Sequence, residues 1–145
     1  MKRSALLFAV LVGAASFSAY AEDSRPYTEG PVMEVSFIKI KPGKFDEYMA
    51  FLAGPYRQQM DGDKKAGNIT GWAIWNARAG SPEDADIILT TTYANMAALD
   101  GFEDRAAPQV DKVYGSRAKS NVAFADRESM REVLGSELVR ELILK

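Results

Sequence analysis

The sequence contains neither cysteine nor histidine among its 145 residues. Without cysteine there is no disulfide, so the fold must rest on its core alone. The acceptor for lipid attachment at a bacterial lipoprotein signal is missing too. Without histidine the chain lacks the usual imidazole base, the Ser-His and Cys-His pairings, and most ligation of zinc, copper or haem. Positive charge is also scarce: 18 basic against 20 acidic side chains give a formal charge of −2. Such a balance offers no basic patch for nucleic-acid phosphates. The longest uncharged apolar run, residues 5–15, falls short of the ~20 residues that cross a bilayer.

That run follows Lys2 and Arg3 and leads into Ser18-Ala19-Tyr20-Ala21, with Glu22 and Asp23 just after. A positive start, an apolar stretch and small residues before a polar boundary predict a secretory signal over residues 1–21. The expected mature protein is exported, to the periplasm or the outside, with no membrane segment after cleavage. Losing Lys2 and Arg3 shifts its formal charge from −2 to −4. The remaining length suits one domain, read as a polar arm over residues 22–31 and a single unit over residues 32–145.

The organising stretch is VMEVSFIKIKPGKFDEYMAFL, which reads as a strand, a Pro-Gly corner and an amphipathic helix. Strand residues 32–40 alternate Ser36, Ile38 and Ile40 with Met33, Val35 and Phe37, so both faces are largely apolar. That predicts a sheet covered on both sides. Phe45, Tyr48, Met49, Leu52, Tyr56 and Met60 recur at helical spacing, with a kink expected at Gly54-Pro55 and an end at Gly62 or Gly67. Residues 69–77 and 86–93 read as an antiparallel hairpin. In the first of these, Trp72 and Trp75 should face opposite sides. A short helix over residues 94–99 follows, then a helix with Pro108 in its first turn and Gly115 after it. Residues 121–134 also read as helix, with Met130, Val133 and Leu134 buried. Residues 136–145 fit helix or strand by periodicity alone.

The order β-α-β-β-α is a ferredoxin-like plan. IKIKPGKFDEYMAFL, then GWAIW, then TTTYANMAALDG, resembles the dimeric α+β barrel superfamily, with echoes of antibiotic-biosynthesis-monooxygenase-like and NIPSNAP-like domains. The resemblance implies a fourth strand at the tail, giving an α+β, ferredoxin-like β-α-β-β-α-β fold with an antiparallel sheet. It also implies a homodimer whose sheets face each other across a two-fold axis, with a pocket in each subunit. Residues 103–135 would be an added helical segment before the last strand.

The residues that suggest a ligand site are Phe37, Tyr48, Tyr56, Trp72, Trp75 and Tyr93, with Asn76 and Arg78 as polar groups. An aromatic set with a few donors suits a small apolar or aromatic molecule. With no cofactor or metal expected, the first reading is an exported ligand-binding or accessory protein. A second, drawn from the resemblance, is a cofactor-independent oxygenase or isomerase acting on a phenolic or quinone substrate. Asn76 would stabilise the substrate anion in that case, although alternation puts it on the face of Trp72 rather than Trp75. A third is a structural or interaction domain without a ligand. Asp61-Gly62-Asp63 opens like a calcium loop but continues with Lys64 and Lys65, so a helix-ending turn is the better reading. The carboxylate pairs Asp46/Glu47 and Glu83/Asp84 sit in a helix start and a turn, where water reaches them.

Overall fold

The computed structural model describes residues 25–145 apart from position 79. The expected signal lies outside the described residues. The elements run β1 (Tyr27–Ile40), α1 (Phe45–Phe51), a π turn (Leu52–Tyr56), α2 (Arg57–Ala66), β2 (Gly71–Asn76), β3 (Ile87–Tyr93), a one-turn helix (Met96–Leu99), α3 (Phe102–Tyr114), α4 (Arg117–Arg127) and β4 (Arg131–Leu144). The four strands form one antiparallel sheet in the order β2-β3-β1-β4. This is the ferredoxin-like α+β plan expected from the sequence. Within one chain the sheet is open and does not close into a barrel.

The side chains of β1 divide cleanly. Val32 and Ile38 are buried, and Ile38 packs with Tyr48, Leu52, Ile87, Leu89 and Met130 into the main core. A second cluster joins Met60, Ile69 and Tyr93. Met33, Val35 and Phe37 alternate onto the opposite face, which none of the described helices covers. The expectation of a sheet covered on both sides therefore holds for only one side of a single chain.

β1 begins at Tyr27, so residues 27–31 of the expected arm are strand. The cause is long-range: Tyr27, Thr28 and Glu29 pair with Leu144, Ile143 and Leu142. The register shifts between Glu29 and Val32, at Gly30-Pro31. A proline, which cannot donate to a ladder, is tolerated there because it sits at the bulge and pairing with β3 starts only at Val32. Gly30 is needed for closeness, since a Cβ on it would lie 3.1 Å from the Cβ of Glu141.

Gly54-Pro55 breaks the helical stripe as expected. Gly54 leaves helical geometry (φ −99°, ψ −108°), and a π turn joins α1 to α2. Gly67, at φ 78°, ends α2, while Gly62 lies inside it. Asp61-Gly62-Asp63 is therefore mid-helix, neither a calcium loop nor a terminating turn. Pro108 sits in the middle of α3 rather than its first turn, because the helix already starts after Gly101. The expected helix over residues 121–134 stops at Arg127, and β4 takes over at Arg131. Met130 is buried as expected, but Val133 and Leu134 are 40% and 43% exposed. Gly135 lies inside β4 at a second register shift, opposite Phe37, so it bulges the strand rather than preceding it.

Candidate functional site

The helix-covered face of the sheet is not packed solid. A cavity of about 350 Å³ lies between it and helices α2, α3 and α4. Glu34, Ser36, Leu89, Thr91 and Tyr93 form its floor. Tyr56, Gln59, Met60 and Asp63 come from the π turn and α2, and Phe102 and Phe124 come from α3 and α4. Arg127 and Arg131, the last residue of α4 and the first of β4, also line it. Period-two alternation sends Glu34, Ser36 and Ile38 to this side together.

The polar groups sort into two sets. In the acidic set, Tyr93 donates its hydroxyl proton to Glu34 Oε2 at 3.3 Å. Asp63 is only 1% exposed and accepts a hydrogen bond from Asn68 Nδ2 at 2.8 Å. Burial pushes the Asp63 carboxyl above its ordinary pKa, although the bond from Asn68 opposes this. Burial, reinforced by the charges of Glu34 and Asp63, holds Tyr93 far above the usual phenol range.

In the basic set, Arg131 Nη1 donates to the Tyr48 hydroxyl at 3.0 Å. Burial raises Tyr48 more than the two arginines lower it. Arg127 is 4% exposed, and its guanidinium carbon stands 3.5 Å from the Phe124 ring centre and 4.8 Å from that of Phe51. Burial, then the like charge of Arg131, draws Arg127 down to about 10. Tyr56 feels both sets and is pushed up to about 12, mainly by burial.

Of the residues singled out in the sequence, Tyr56 and Tyr93 line the cavity. Tyr48 is fully buried behind it and joins it through Arg131. Trp72 meets Tyr56 edge-on at 5.9 Å and donates its indole N–H to Asp61 Oδ1 at 3.2 Å. The two tryptophans do face opposite sides. Trp75 is 56% exposed on the open face, where its indole N–H donates to Thr90 Oγ1 at 3.1 Å. Phe37 shares that open face by alternation. Asn76 and Arg78 are exposed near the end of β2 and do not line the cavity.

Sequence reasoning passed over Gln59, Arg127 and Arg131, and assigned Asp63 to a turn. DRESMRE falls in the expected helix over residues 121–134, and only the chain reversal after α4 turns two of its arginines inward. Among the described residues no group of three or more acidic side chains gathers as a metal site.

No family model matches the chain, and no curated protein matches it. Solved structures similar to the chain include the following two. HapK from Hahella chejuensis shares 10% identity over 76% of this chain and 91% of its own, with a TM-score of 0.51. Protein SO0527 from Shewanella oneidensis shares 13% identity over 81% of this chain and 96% of its own, with a TM-score of 0.53. At such identity the likeness is one of fold alone, the ferredoxin-like α+β plan.

Proposed function

We propose that the chain is a small-molecule-binding protein whose ligand, an apolar or aromatic compound, enters the cavity between sheet and helices. The observation that carries this reading is the cavity itself. About 350 Å³ of space, opening to solvent beside Glu34, Phe124 and Val133, lies between the sheet and the helices. The volume falls within the ~300–1,000 Å³ of ligand pockets, and its walls mix aromatic rings with a few polar groups. Export rests on the amino-terminal pattern. Kinship within the superfamily to the monooxygenase-like or NIPSNAP-like domains rests on the sequence resemblance.

A homodimer is part of the same reading. The open face carries Met33, Val35, Phe37, Ile88 and Val139 with no described helix over them, and alternation along β4 adds Ile143 to it. A second copy laid on this face would remove that apolar surface from water. The oxygenase or isomerase alternative loses support at its named residue, because Asn76 is exposed away from the cavity. The cavity likewise counts against a purely structural domain.

Trp72 supplies the test. It touches Tyr56, a cavity residue, whereas Trp75 reports only on the opposite face. In a Trp75→Phe variant, phenolic or quinone ligands should change the remaining tryptophan emission saturably. Emission that stays flat through every ligand class overturns the reading.

A further inference from the structure

We propose that the ligand is an organic carboxylate, its charged head held by Arg127 and Arg131 and its apolar body set against Tyr56, Phe102 and Phe124. This inference rests on the cavity reading above and specifies its chemistry. Arg127 and Arg131 are 4% and 8% exposed, and both line the cavity. Arg127 Nε and Nη2 and Arg131 Nε are buried with no hydrogen-bond acceptor. Among the described residues, no carboxylate forms an ion pair with either guanidinium.

A buried cation without a counter-charge is costly, and two of them side by side repel. The rings of Phe51 and Phe124 lie against Arg127 and offset part of that cost. A ring face, however, accepts nothing from N–H groups that point along the guanidinium plane. The acidic groups lining the cavity are already engaged: Glu34 accepts from Tyr93 and Asp63 from Asn68. Asp126, Glu128 and Glu132, the acidic neighbours of the two arginines in sequence, are exposed. No described residue supplies the missing acceptor, and a bound anion would. A carboxylate supplies two acceptor oxygens and one negative charge, which matches guanidinium donors better than a neutral group does.

There is also room for an apolar body. A second cavity of about 320 Å³ between α3 and α4 shares Gln59, Phe102 and Phe124 with the first. A ligand with its head at the arginines can extend past Phe124 toward it.

The test uses the full chain with naphthoate and its neutral isostere naphthamide, followed by calorimetry and tryptophan emission. Naphthoate should bind at least about tenfold more tightly than naphthamide, the difference a charge-assisted pair supplies over a neutral one. Arg127→Met and Arg131→Gln should each erase that preference while leaving naphthamide binding in place. Arg127→Met should also raise the Tm of the ligand-free protein by about 2–5 °C, since methionine keeps the packing on Phe51 and Phe124 and removes a buried charge. Equal binding of both compounds to the wild type overturns the carboxylate assignment and leaves the cavity reading standing. Binding of neither compound overturns both. A fall in Tm on Arg127→Met with naphthoate preference retained assigns Arg127 to structure and overturns its role here.

Discussion

The two faces of this sheet obey different rules. On the covered face, Val32, Ile38, Ile87 and Leu89 are at most 8% exposed beneath the helices. On the open face, Met33, Val35, Phe37 and Ile88 of the same strands have no described helix over them, and Trp75 stands largely in water. A half-covered antiparallel sheet ordinarily alternates apolar-in with polar-out. Here the covered side gathers Glu34, Asp63, Arg127 and Arg131 around a cavity, while the open side carries a run of apolar groups. Packing density is therefore given up on the inside for chemistry, and the outside keeps an apolar surface that one chain cannot hide. The paired ends of β1 and β4 extend the contrast, since both are 14 residues long against 7 for β3. That pair runs roughly 20 Å past the central ladder, and it carries Leu142, Ile143 and Leu144 exposed.

The sharpest way to break this contrast is to truncate equivalent apolar groups on each side. Leu52→Ala, in the main core, should cost about 2–5 kcal/mol in urea unfolding. Val139→Ala, on the open face, should cost less than about 1 kcal/mol at concentrations where the chain is monomeric. Equal costs at low concentration would mean that the open face is already covered within one chain.

A second experiment addresses the cover itself. Phe37→Glu places a charge in the middle of the open face and should weaken self-association by roughly 100-fold, about 3 kcal/mol, in sedimentation equilibrium. The fold should be retained, because Phe37 makes no part of either core cluster. A wild-type chain that stays a lone subunit at high concentration removes the dimer from the picture.

Titration separates the faces next. Burial raises Tyr48, Tyr56 and Tyr93, all on the covered side. A phenol whose folded pKa is raised contributes stability that is fully present below pH 10 and is lost as pH climbs through the folded value. Arg127, drawn down to about 10, acts with the opposite sign in the same alkaline range, but it is one group against these three and Tyr114, which burial also raises. The urea midpoint should thus fall steadily above pH 10. Tyr56→Phe should recover part of the drop, up to roughly 2–3 kcal/mol by pH 12. An identical pH profile in that variant would place Tyr56 in water.

The smallest expected effect concerns Asp63. Burial raises its carboxyl, so its contribution to stability is best below the unfolded pKa and worsens as pH rises through the folded one. Asp63→Asn should therefore stabilise the protein at pH 7 and have no effect near pH 3. Destabilisation at pH 7 would show that the negative charge is wanted there, as a counter-charge on the acidic side of the cavity.

Much of the architecture was legible residue by residue. Alternation in VMEVSFIKI gave a strand, Gly54-Pro55 gave the break, and the hairpin of β2 and β3 followed from β-branched runs either side of a turn. The site was legible only in part. Tyr56 and Tyr93 were found because aromatic residues on apolar stripes must be buried somewhere. Asn76 and Arg78 were chosen for their chemistry, but the strand ends beside them and leaves both at the surface. Arg127 and Arg131 carried no local signal, since a buried arginine and a solvated one look alike in a sequence.

By itself, then, the sequence determined the kind of elements and their order, because helical and strand periodicity are set by side chains a few positions apart. It also fixed which chemistries were closed off by the lack of thiol and imidazole. Tertiary structure alone decided which face of the sheet the helices cover, and that Tyr27 pairs with Leu144 and so draws residues 27–31 into the sheet. It also decided that two arginines flanking a chain reversal turn toward one cavity. Those outcomes depend on contacts between residues about a hundred positions apart, where no local pattern records which groups will meet or which will be left without a partner.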